Sequence, residues 1–174
     1  MTISELLAVL FPHLAGLQID SVYRSGRSVR IRARTVTRQA ACPRCGTISQ
    51  RMHSSYERRV CDTATGGQET VLHLRVRRFR CGNEDCAAAT FAEQVPNLTI
   101  PYGRYSVPLR TLLQTIALAL GGRAGARLTR RLAAAVSRMT PIRLIRSLPD
   151  PEPGAGPQVL GVDDFALRRG HTYA

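Results

Sequence analysis

Four cysteines fall in two close pairs: Cys42-Pro43-Arg44-Cys45, then Cys81 and Cys86. Thiolates at such spacings can wrap a single divalent ion, and zinc takes four sulfurs tetrahedrally at about 2.3 Å each. Gly46, directly after the first pair, permits the tight turn that lets backbone amides approach the sulfurs. All four ligands would come from the protein, so the expected Zn2+ site is closed and structural, holding together a module with little core of its own. Free thiols, a disulfide or a redox pair are the other uses of such cysteines; reducing surroundings disfavour the disulfide. Cys61 lies outside the pattern and reads as a small buried thiol. His53 and His73 are alternative ligands, although a satisfied or exposed histidine is the simpler reading of each.

A second set of residues points to phosphate. The 174 residues carry 25 basic side chains, all arginine, against 12 acids, for a net charge of +13. A GC-rich coding bias accounts for arginine over lysine but not for the excess of positive charge. Between Glu93 and Asp150 there are nine arginines and no acid. A solvated helical face usually mixes both signs, whereas a one-signed stretch suits a nucleic-acid backbone. A third feature is Asp163, at the end of the apolar run Val159–Val162. A carboxylate at a strand tip can help hold catalytic Mg2+ or Mn2+. It is also an ordinary cap or turn residue.

The elements that would position these groups form an α+β chain. Ile3–Leu10 has helical spacing, with Thr2 able to cap it and Pro12 ending it. Leu17–Arg24 and Ser28–Val36 alternate as a hairpin around Ser25-Gly26, with Val29, Ile31 and Ala33 on one face and Arg30, Arg32 and Arg34 on the other. Thr70–Arg80 reads as a further strand: Leu72, Leu74 and Val76 face one way, Arg75, Arg77 and Phe79 the other. The period then becomes helical. Leu109, Leu112, Leu113, Ile116, Ala117 and Leu120 mark a helix from Pro108, ended by Gly121-Gly122. A second helix is expected over about 123–134, with Ala124, Leu128 and Leu132 inward. A third, capped by Ser137, is expected to run to about Leu148.

The last two helices read as a helix-turn-helix, whose second helix would enter the major groove. Arg138 and Arg143 are then the candidates to reach base edges, with Arg123, Arg127, Arg130, Arg131 and Arg146 along the backbone. A plain helical bundle with a solvated arginine face is the alternative. The domains expected are residues 1–100 with a zinc finger over 42–86, a helical DNA-binding unit over 104–148, a Pro/Gly-rich linker over 149–157, and a final segment over 158–174. No stretch reads as a membrane span or signal peptide, so a soluble cytoplasmic protein is expected.

Several stretches together resemble the ISL-three family of bacterial insertion-sequence transposases. They are Cys42-Pro-Arg-Cys45-Gly; Arg77-Arg-Phe-Arg-Cys81 through Cys86 to Phe91-Ala-Glu; Leu118-Ala-Leu-Gly-Gly-Arg-Ala-Gly-Ala-Arg-Leu128; Val136-Ser-Arg-Met-Thr; and Gly161-Val-Asp-Asp-Phe-Ala-Leu-Arg-Arg-Gly-His-Thr-Tyr173. The resemblance implies a zinc finger and helix-turn-helix that bind the terminal inverted repeats of double-stranded DNA, and an RNase H-like DDE domain using Mg2+ or Mn2+. It places the first catalytic carboxylate at Asp163, with Asp164 as a neighbour. The second Asp and the Glu of that triad have no counterpart before Ala174, so the chain reads as an N-terminal fragment that does not transpose alone. Self-association into a homo-oligomer is compatible with this reading. A stand-alone zinc-containing helix-turn-helix regulator is the alternative function, and an RNA-binding zinc module a third.

Overall fold

The computed structural model describes residues 3–149, with side chains from residue 5 onward. Thr2, most of the expected linker and the segment 158–174, including Asp163, lie outside the described residues. The described chain is mixed α+β.

The N-terminal part is built on a five-stranded sheet. Helix α1 (Ile3–Leu10) and a 3-10 turn (Pro12–Leu14) lead into strands β1 (Leu17–Ser25) and β2 (Ser28–Thr35). These pair antiparallel, with Ser25 opposite Ser28 across Gly26-Arg27. Two short strands, β3 (Ala40–Ala41) and β4 (Ile48–Ser49), form a separate ladder. Two long strands follow, β5 (Met52–Thr65) and β6 (Gln68–Arg80), and then β7 (Thr90–Ala92). The sheet order is β1-β2-β6-β5, with β7 beside the end of β6. β2 and β6 run parallel, so the chain between them must cross over. The β5–β6 turn is Gly66-Gly67, both at positive φ (56° and 71°), the backbone that a two-residue hairpin demands.

Alternation along the strands sets two faces. Ile31, Ala33, Val60, Leu72, Leu74 and Val76 point to one side. There they pack with Phe11, Leu14, Val95 and Leu98 in the main core. Within α1, Leu7 packs against this core, whereas Leu6 and Leu10 are exposed. An eight-residue helix covering one end of a sheet buries only a narrow stripe.

The helical part begins at Ser106, whose hydroxyl caps α2 (Val107–Arg131) by accepting from Leu109 N at 3.2 Å. The expected break at Gly121 is present: its φ of 65° and ψ of −165° interrupt α2. The second segment ends at Arg131, short of Ala134, where Ala133 takes a positive φ of 52°. Helix α3 (Met139–Ile145) is shorter than its pattern implied. Arg138, not Ser137, holds its cap position, and the Ser137 hydroxyl meets Thr140 Oγ1 at 3.2 Å.

α3 folds back on α2: Leu109, Leu113, Ala134 and Leu144 form a second apolar cluster. The close approach is at Gly122, where a Cβ would stand 2.7 Å from the Arg138 carbonyl oxygen. Because these backbones meet through glycine, Gly125, Ala126 and Thr129 become the buried positions of the second segment. Leu128 and Leu132, expected inward, are exposed, as are Leu112 and Leu120. No helix among the described residues is long and apolar enough to cross a membrane.

Candidate metal centre and basic surfaces

The β3–β4 ladder closes a short loop that carries Cys42 and Cys45. Cys42 N donates to the Thr47 carbonyl at 2.9 Å, and Gly46 N to the Cys42 carbonyl at 2.9 Å. β6 delivers Cys81 at its end, and the Asn83–Cys86 turn returns Cys86. The four sulfurs lie within 4.8 Å of one another, with Cys45–Cys81 at 3.5 Å and Cys42–Cys86 at 4.0 Å. A tetrahedron with zinc–sulfur bonds of 2.3 Å has edges of about 3.8 Å, so the cage has the size zinc requires. Cys42 is buried against Phe79 and Phe91, whose rings stack at 5.9 Å.

The electrostatics fit a shared cation. The Thr47 side chain and amide beside Cys45 hold its thiol down at about 6. At Cys81 the Asn83 amide works to lower the thiol. Burial and the sulfurs of Cys45, Cys42 and Cys86 outweigh it and push Cys81 up to about 12. Gathered thiols thus resist losing successive protons, and a divalent ion is what relieves that repulsion. The donor set is soft, complete and protein-derived, so this is a structural zinc site.

Cys61 is not part of it. Its half-buried thiol packs beside Tyr105 and the Leu109 cluster, and burial pushes its pKa up. Neither His53 nor His73 joins the sulfurs: His53 meets Ser54, while His73 Nδ1 meets Glu57 at 2.8 Å.

Two buried acids escaped the sequence reading. Glu93 accepts from Arg77 Nη2 at 2.7 Å, from the Arg77 amide at 2.7 Å and from Thr35 Oγ1 at 2.9 Å. This fastens β7 and the end of β2 to β6, beside the zinc module. Asp62, on β5, accepts from Ser106 Oγ at 2.5 Å and meets His13 Nε2 at 2.6 Å. It joins the N-terminal turn, the sheet and the cap of α2. Hydrogen bonds between Cys61 and residues 104–106 reinforce the junction.

Although Ser106, His13 and Asp62 are the residue types of a nucleophilic triad, the arrangement is not one. Ser106 is fully buried and donates to the acid rather than to the histidine. No motif in sequence marks such a latch; Ser106 ahead of Val107-Pro108 is a capping signal that was open to reading.

The seven helical arginines named from sequence (Arg123, Arg127, Arg130, Arg131, Arg138, Arg143 and Arg146) are all exposed. None forms an ion pair among the described residues. Arg123, Arg127, Arg130 and Arg131 lie on the second segment of α2. Arg138 lies at the start of α3, Arg143 within it and Arg146 at its end.

Residues 38–86 match the family described as the zinc-finger of transposase IS204/IS1001/IS1096/IS1165. The matched span starts just before β3 and ends at the fourth zinc ligand. Neither a curated protein nor a solved structure matches the chain.

Proposed function

We propose that the chain is the DNA-binding part of a DDE-type transposase, recognising the terminal inverted repeats of an insertion sequence. The observation that carries this reading is the pairing of a transposase-type zinc ribbon with an acid-free helical unit bearing seven exposed arginines. The ribbon, over 38–86, is a structural support: a zinc ion held by Cys42, Cys45, Cys81 and Cys86 would have no open position for chemistry. The second segment of α2 and α3 act as the helix-turn-helix. Arg138 and Arg143 reach base edges in the major groove, where bidentate contact to guanine is the common arginine readout. Arg123, Arg127, Arg130, Arg131 and Arg146 neutralise phosphates and fix the register. Asp163 is the first carboxylate of an RNase H-like catalytic fold that takes Mg2+ or Mn2+. No acid follows Asp164 in these residues.

Selection from a randomised duplex library tests the assignment. The zinc-loaded chain should enrich a defined sequence. Arg138→Ala should relax the enriched motif at particular positions. Arg131→Ala should weaken all sequences alike and lower the salt slope by about 1. Equal effects of both variants on every sequence would refute the recognition-helix assignment. Failure to enrich any motif would refute recognition of a specific repeat.

A further inference from the structure

The sheet has a second face that the helical reading does not use. On β2, Arg30, Arg32 and Arg34 point away from the core, alternating with Ile31 and Ala33. The strand register continues the pattern across the sheet: Arg32 stands beside His73, and His73 beside Arg59. Arg34 stands beside Arg75, and Arg75 beside Glu57. Alternate residues on a strand are about 6.7 Å apart and neighbouring strands about 4.8 Å. Five arginines therefore share a patch of roughly 10 by 14 Å.

The acids on this face are engaged. Asp20 pairs with Arg34 at 3.2 Å, Glu57 with His73 at 2.8 Å, and Glu69 accepts from Ser28 at 2.9 Å. Arg32, Arg59 and Arg75 are exposed and make no ion pair among the described residues, although the Glu57 carboxylate is near enough to feel the charges of Arg32 and Arg59. Arg32 lies over the Tyr23 ring at 5.4 Å, and Arg30 Nε is buried without a hydrogen-bond partner. Arg32, His73 and Arg75 line an open depression of about 420 Å³ together with Asp20 and Glu57, the two acids already held by Arg34 and His73.

Both ends of the face are walled. Phe79 shares the side of Arg75 by alternation and packs into the zinc module with Cys42, Cys81 and Cys86. Cys61, opposite Val71 in the same row as Arg30, packs against the Leu109 cluster of the helical unit. The zinc ribbon thus borders one end of the arginine patch, and the helical unit, which also holds the opposite face through Asp62 and Ser106, borders the other end through Cys61 at the β5 edge.

We infer that this sheet face is a second phosphate-binding surface, seating the backbone of the duplex DNA whose neighbouring segment the helices engage. The inference rests on the DNA-binding reading for the identity of its partner. The supporting observations are charge complementarity with three exposed guanidinium groups that make no ion pair, and adjacency to the helical unit through Cys61. The contact is to phosphate alone, because the patch spans three neighbouring strands of a five-stranded sheet, wider than the two-stranded ribbon that a major groove admits. It adds affinity without sequence preference.

The test compares the full chain with its R32Q/R59Q/R75Q variant on duplex DNA, by fluorescence anisotropy across a salt series. Zinc content and circular dichroism confirm that the variant is folded. Each lost phosphate contact lowers the slope of log K against log salt by about 0.9. The variant should therefore lose about 2 to 3 from the slope, with its sequence preference unchanged. A slope equal to that of the wild type, with R131A still reducing it, would overturn the sheet surface and leave the helical reading standing. Salt-insensitive binding by the wild type itself would overturn both. Tighter binding of RNA than of duplex DNA at the same salt would overturn the choice of partner.

Discussion

Replacing Asp62 with alanine removes the one acceptor shared by Ser106 and His13. The carboxylate is buried, takes the Ser106 hydroxyl at 2.5 Å and meets His13 at 2.6 Å. Both partners are left in place without it. Hydrogen bonds to a charged group contribute about 1.5–3 kcal/mol each, and stranded buried donors add a desolvation penalty. Removing one member of a buried pair costs about 3–5 kcal/mol. In a chain of this size 1 kcal/mol moves Tm by about 2–4 °C, so Asp62→Ala should melt about 6–20 °C below the wild type.

The latch also has a pH signature. Burial alone would raise the Asp62 pKa, but hydrogen bonds from His13 and Ser106, with the charge of His13, outweigh it and hold the carboxyl below its ordinary value. The unfolded chain therefore binds this proton more tightly than the folded one. The contribution is complete above the ordinary aspartate value of about 3.9 and fades as pH falls through the lower folded value. Thermal melts of both proteins over a pH series, followed by circular dichroism, measure this. The gap between them should narrow on acidification below about pH 4. An Asp62→Ala protein that melts within a degree or so of the wild type would refute the argument that this contact ties sheet to helices.

The metal centre and the helix junction give two further expectations. Cys42→Ser or Cys81→Ser should abolish the single bound zinc, measured by metal analysis of the purified chain, and should expose the ribbon to proteolysis within 38–92; unchanged metal content would contradict the four-sulfur site. Gly122→Ala places a Cβ 2.7 Å from a backbone oxygen of α3, so α3 must shift. Overpacking of this kind costs about 1–3 kcal/mol, and a denaturant midpoint matching the wild type would show that the helices do not meet there.

How much of this was legible in the sequence varies with the range of the interaction involved. The zinc ligands were, because thiol spacing is a local chemical constraint that the fold must satisfy. Strands β1, β2 and most of β6 were, because alternation reports a sheet with one dry face. β5 was not resolved as a strand: its Met52–Arg59 half is largely exposed, so polar side chains stand on both faces and the period-two signal vanishes.

The inward face of the second helical segment was misread. Leu128 and Leu132 have the apolar character of core residues, yet close backbone contact through Gly122 and Gly125 turns the small side chains inward instead. Phe79 was placed on the arginine face correctly. That it anchors the zinc module there depends on Phe91 and on cysteines from both sides of β5, which no local pattern reveals. The Asp62 and Glu93 latches are long-range pairings of common residues, and only the folded chain brings them together.

The central claim is that this is a zinc-supported DNA-binding protein working through phosphate contacts. Its most direct test is the salt dependence of duplex DNA binding by the zinc-loaded chain. With six or more arginines on phosphate, affinity should fall by about a thousandfold or more between roughly 50 and 200 mM salt. Binding that is absent at low salt, or unchanged across that range, would contradict it.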